Sequence, residues 1–93
     1  MISIESLAKQ LNINSEQLLS ESINLYLNQN LYRIQSEMYL IQKKFDILDI
    51  FDFNSKVKEG KIHEAESLED FFKLDHLTIE KEKYESLISQ ING

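Results

Sequence analysis

The chain reads as an all-α protein: three to four helices built around one long central helix, with a short helix-turn-helix-like unit before it and a long helix after it. Three observations carry that reading. The 93 residues contain no proline and only two glycines, Gly60 and Gly93, so the residues that break and end helices are scarce. Apolar residues recur at helical spacing through most of the chain. A single stretch of roughly thirty residues carries no stop signal, which corresponds to about 45 Å of helix.

The first helix is expected over Ile4 to Leu11. Ser3 can cap it, and Ile4, Leu7, Ala8 and Leu11 fall on one face. Asn12 is a tolerable left-handed stop. The second helix starts after Asn14, a good N-cap, with Gln17 at the capping-box position and Glu16 in the first turn, and runs to about Phe45. Leu27, Leu31, Ile34, Met38, Ile41 and Phe45 are spaced 4, 3, 4, 3, 4, a heptad seam. Leu18, Leu25, Tyr32 and Tyr39 form a second stripe, each seven residues apart. Either both stripes are core, or one packs on the chain's own helices and the other on a second chain. A homodimer in coiled-coil fashion along the heptad seam is the expectation adopted here.

The segment Phe45-Asp46-Ile47-Leu48 is a compact apolar turn with room for a marginal strand. A third, short helix follows. Asp49 caps it, Asp52 holds the capping-box position, Ile50, Phe53 and Val57 make its buried face, and Gly60 suits the C′ position. The fourth helix is expected to begin after Ser67, with Asp70 three positions on, and to continue to Ile91. One domain accommodates the whole chain: residues 1–47 hold the N-terminal and dimerising helices, and residues 48–93 the short helix and the acidic C-terminal helix.

Composition narrows the function. With 42% apolar and 28% charged residues, the bulk of the chain is not a disordered tail. The net charge is −6, which disfavours a general nucleic-acid binder. The charge is uneven: residues 1–58 hold seven acids against six bases, and residues 59–93 hold nine against four. There is no cysteine and there are two histidines, so a transition-metal site is not expected. No apolar run is long enough to span a membrane, and Met1-Ile2-Ser3-Ile4-Glu5 lacks a signal-peptide start, so the expected location is cytoplasmic. His63-Glu64-Ala65-Glu66 begins like a zincin motif but has no second histidine at the required spacing. Neither glycine belongs to a phosphate-cradling loop, and neither an enzyme activity nor a cofactor is expected. The outline of a helix-turn-helix over residues 3–26 would present Ser15, Glu16, Gln17, Ser20 and Glu21 to DNA. With Lys9 the only base before Arg33, that surface repels phosphate.

The acidic block Glu64, Glu66, Glu69, Asp70, Asp75 is interrupted by Phe71, Phe72 and Leu74. It is either a solvated helix face whose aromatics fold onto the chain's own core, or a docking surface for a basic protein. In the second case the acids steer the encounter and the aromatics anchor it.

A family resemblance bears on that choice. Ser6-Leu7-Ala8-Lys9-Gln10-Leu11-Asn12-Ile13-Asn14-Ser15-Glu16-Gln17-Leu18-Leu19 resembles the opening of small helical antitoxin-type proteins of cyanobacteria and archaea. The likeness continues through Tyr26-Leu27, Lys58-Glu59-Gly60 and Ser67-Leu68-Glu69-Asp70-Phe71-Phe72-Lys73-Leu74-Asp75-His76-Leu77. Leu68 stands where that family more often has a bulky aromatic, and Asp46 where a glycine is common. The resemblance implies one component of a type II toxin–antitoxin module, which binds and neutralises a cognate toxin, a ribonuclease. It implies toxin contact through Leu68, Glu69, Asp70, Phe71, Phe72, Leu74, Asp75, His76 and Leu77, and a dimer through the long helix. The rival expectations are a DNA-binding regulator that uses the N-terminal unit, and a structural dimeric assembly subunit.

Overall fold

The computed structural model describes residues 2–93; Met1, part of the N-terminal stretch read against a signal peptide, lies outside them. Four helices follow in order: α1 (Ile4–Gln10), α2 (Ser15–Phe45), α3 (Ile50–Lys58) and α4 (Glu64–Asn92). Among the described residues there is no strand, so the marginal strand at residues 45–48 is instead the last residue of α2 and the turn that follows it. The molecule is elongated, 60 × 27 × 17 Å, with α2 packed chiefly on α4.

The helix starts follow local chemistry. The Ser6 backbone N–H donates to Ser3 Oγ at 3.1 Å, the Gln17 N–H to Asn14 Oδ1 at 2.6 Å, and the Asp52 N–H to Asp49 Oδ1 at 2.8 Å. Each bond satisfies one N–H that the first turn leaves without a helical partner. The box at Asn14 is half closed, since the Gln17 amide turns forward and donates to Glu21 Oε1 at 3.1 Å. At α3 the reciprocal bond forms one residue further out, where the Leu48 N–H donates to Asp52 Oδ2 at 2.9 Å.

The helix ends use left-handed residues. Asn12 (φ 61°) turns the chain after α1 and Gly60 (φ 77°) after α3. Asp46 (φ 52°) ends α2, and its conformation lets the Ile47 N–H reach back to the Gln42 carbonyl at 3.0 Å. That is a Schellman-type closure built on an aspartate, a residue that tolerates this region better than most.

The start of α4 differs from the sequence expectation. The helix begins at Glu64, a turn before Ser67, and its N-cap His63 makes no side-chain capping bond. Ser67 is buried inside the first turns, and its Oγ donates to the Glu64 carbonyl at 3.3 Å.

The core runs between α2, α3 and α4. Ile34, Met38, Ile41, Ile47, Phe53, Ile62, Leu74 and Leu77 are buried together, with Phe45, Ile50, Val57, Phe71 and Tyr84 packed against them. This corrects the placement of the heptad seam. Leu27, Ile34, Met38 and Ile41 are buried within the chain, and Leu31 and Phe45 are half-buried. The seam is covered by this chain's own helices, so it is not an open dimer face. The other stripe points away: Leu25, Tyr32 and Tyr39 are exposed, and Leu18 is half-buried. On α1 only Ala8 is buried, while Leu7 and Leu11 remain exposed.

Replacing Ile34 by Glu therefore tests packing within one chain. A carboxylate at this fully buried position has no cation to meet, and its cost of several kcal/mol is comparable to the whole stability of a small domain. Circular dichroism of Ile34→Glu is expected to show loss of the helical signal. A well-folded helical Ile34→Glu monomer would show that the seam is not core.

Candidate protein-binding surface on α3 and α4

Phe53 determines which way the aromatics of α4 face. It is fully buried on α3, 4.9 Å from the Phe45 ring and 5.4 Å from the Phe71 ring, the latter edge-on. Phe71 is thus drawn into the core. The next residue on a helix points about 100° away, so Phe72 is turned outward and is 61% exposed. The two rings stay in edge contact at 6.0 Å.

Phe71, Phe72, Ser67, Leu68 and Glu64 of α4, with Asn54 and Val57 of α3, line a groove of about 110 Å³. Its size decides what it can hold. Sites for cofactors and drug-sized ligands run to several hundred Å³, and an engineered apolar cavity of about 150 Å³ takes a benzene. This groove therefore fits one apolar side chain. Leu68 is 48% exposed at its edge. One turn before Asn54 on α3, Phe51 is 79% exposed, and Leu48 beside it is exposed as well. Along α4 the exposed apolar stripe continues from Leu68 and Phe72 to Ile79.

The nine residues expected to touch a partner separate into three groups. Leu68, Glu69, Phe72, Asp75 and His76 are exposed. Leu74 and Leu77 are buried in the core and cannot reach a partner while α4 is packed, which removes them from the contact set. Asp70 and Phe71 are half-buried and already engaged. Asp70 Oδ2 accepts from Lys44 Nζ at 2.7 Å, tying α4 to the end of α2, and Phe71 lies on Phe53. Phe51, Asn54 and Ile79 were outside the expected set. Leu68, Phe72 and Ile79 lie on one helical face at spacings of four and seven, a signal that was present in the sequence.

Much of the acidic charge of α4 is exposed and unpaired among the described residues. Among the described residues, Glu64, Glu66, Glu69 and Asp75 take part in no ion pair and are exposed. His76 is occupied by structure: its Nε2 lies 2.8 Å from Glu80 Oε1, and Glu80 also faces Arg33 of α2 at 3.7 Å. Lys73 approaches Glu37 of α2 at 3.9 Å. These exposed pairs contribute little individually, on the order of 0.2–1 kcal/mol, but together they align α4 on α2. No group of three or more His, Asp or Glu among the described residues is placed to hold a metal ion, and no helix is long and apolar enough to cross a membrane. At the N-terminal unit, Glu16, Gln17, Ser20 and Glu21 are exposed, so that face presents two carboxylates.

A family model described as the uncharacterized protein MJ0235 family matches residues 1–93, and the chain belongs to that family. No curated protein and no solved structure matches it.

The neighbouring phenylalanines should separate by stability. Phe71→Ala opens the core beside Phe53 and is expected to cost about 2 kcal/mol, somewhat below the range for fully buried rings. Phe72→Ala is expected to change stability by less than about 0.5 kcal/mol, as exposed positions do. Urea unfolding of both variants measures the difference. Equal losses would mean that Phe72 is also part of the core.

Proposed function

We propose that this member of the MJ0235 family acts by protein–protein contact, as an antitoxin that covers a basic surface of a cognate toxin. The observation that carries the reading is the groove between α3 and α4, with Leu68 and Phe72 exposed at its edge and the exposed Glu64 in its lining. Full burial of a phenylalanine or leucine is worth about 1.5–3 kcal/mol, and Phe72 and Leu68 have roughly half of that still to gain, the scale of a binding anchor. Glu64, Glu66, Glu69 and Asp75, exposed and in no ion pair among the described residues, complement a cationic surface. They speed its approach and disfavour acidic competitors.

A toxin ribonuclease suits this surface because holding RNA requires a basic face. The side of α4 that carries Glu64 and Asp75 would lie across that face, and the groove would take one apolar side chain of the toxin. The role asks for no catalysis and no cofactor from this chain. Leu68, Glu69, Phe72 and Asp75 remain as contact residues, joined by Phe51, Asn54 and Ile79. The two exposed carboxylates at the start of α2 count against the DNA-reading alternative.

Co-expression with the product of the adjacent gene, tagged on that product alone, tests the proposal. The expected result is a co-purified complex and growth rescued from an otherwise toxic neighbour. Phe72→Ala or Leu68→Ala should then weaken the complex at least about tenfold with helical content unchanged. Absence of both complex and toxicity, or a complex indifferent to both substitutions, would overturn it.

A further inference from the structure

The outer face of α2 has a pattern that the groove on α4 does not use. From Ser22 to Gln42 the helix carries two charged residues, Arg33 and Glu37, in a chain that is 28% charged. Both are turned towards α4. They pair with each other at 2.7 Å, Arg33 lies 3.7 Å from Glu80, and Glu37 lies 3.9 Å from Lys73. The opposite side is free of charge for about 30 Å of helix. It bears Leu25, Asn28, Tyr32, Ser36 and Tyr39, with Tyr32 74% exposed. Loss of charge with gain of tyrosine is the compositional mark of an interface core. Tyr32 and Tyr39, with Gln35, Ser36 and Leu40, border a shallow depression of about 330 Å³.

The stripe ends in opposite charges. Glu21 lies one turn before Leu25 and Lys43 one turn after Tyr39, on the same side of the helix. Among the described residues neither takes part in an ion pair. Lys43 Nζ rests 5.8 Å from the centre of its own Tyr39 ring. The arrangement is symmetric about Tyr32: Glu21 lies eleven positions before it and Lys43 eleven after, while Leu25 and Tyr39 lie seven to either side.

We infer that this face binds a second copy of the chain, antiparallel, with Tyr32 on the twofold axis. In that register Glu21 meets the partner's Lys43 and Lys43 meets the partner's Glu21, as an isologous contact requires. Leu25 lies opposite the partner's Tyr39, where it can seat beside the depression. A parallel alignment in the same register would set Glu21 against Glu21 and Lys43 against Lys43, so the charges select the antiparallel copy. The heptad seam stays inside each protomer. One helical face per chain makes a small interface, at the transient end of specific contacts. This surface is separate from the groove on α3 and α4, and either inference can fail without the other.

Sedimentation equilibrium on the full chain over a concentration series tests the inference. The expected result is a reversible monomer–dimer equilibrium. Tyr32→Glu should raise its dissociation constant at least about tenfold while leaving the helical signal intact, because the side chain is exposed. Glu21→Lys and Lys43→Glu should each weaken the dimer, and the two together should restore it. A monomer at every concentration, or a dimer untouched by Tyr32→Glu, would overturn the interface. A dimer that the double exchange does not restore would overturn the antiparallel register.

Discussion

Two long helices packed side by side need something to set their register, and here Phe53 does it. A seam of aliphatic residues is nearly equivalent to itself one turn along, so hydrophobic burial alone resists sliding weakly. Phe53 stands between Phe45 of α2 and Phe71 of α4 and is fully enclosed. The pairs Lys44–Asp70, Glu37–Lys73 and Arg33–Glu80 then follow along the same alignment. A slip of one turn, about 5.4 Å, would break the ring contact and all three pairs together. The outward aim of Phe72 follows from the inward aim of Phe71, so the proposed binding surface depends on the same contact.

The chemistry of its two stripes explains why α2 folds inward on one and leaves the other open. The seam is built of leucine, isoleucine, methionine and phenylalanine, which lose nothing polar on burial. The outer stripe has Tyr32 and Tyr39, whose hydroxyls need partners when water is removed. Asn28 lies on the same side, and its amide folds back to donate to the Asn24 carbonyl at 2.8 Å. A monomer gains more by covering the aliphatic seam. The tyrosine stripe keeps its polar ends in water, a state suited to a reversible contact.

Much of this fold was legible in the residues. Ser3, Asn14 and Asp49 cap the helices that their positions suggested, and Asn12 and Gly60 turn the chain where stops were expected. These features depend on neighbours within a few residues. The start of α4 is not legible, because Ser67 resembles a cap, whereas Glu64, Ala65 and Glu66 can already extend the helix and Ser67 fits a small buried position. The two stripes of α2 are both visible, but periodicity does not say which partner covers a stripe, and the seam is covered by this chain's own helices. Half of the groove was visible as the aromatic, acidic stretch of α4. The half from α3 was not, since Asn54 and Val57 are brought there only by the packing of Phe53.

The measurement that bears most directly on the binding role of the α3–α4 surface is backbone hydrogen exchange of this chain, alone and with the adjacent gene's product. The account predicts slowed exchange over residues 64–72 of α4 and the facing part of α3, with the first turns of α2 unchanged. Slowing confined to α1 and the first turns of α2 would contradict it and move the functional surface to the N-terminal unit.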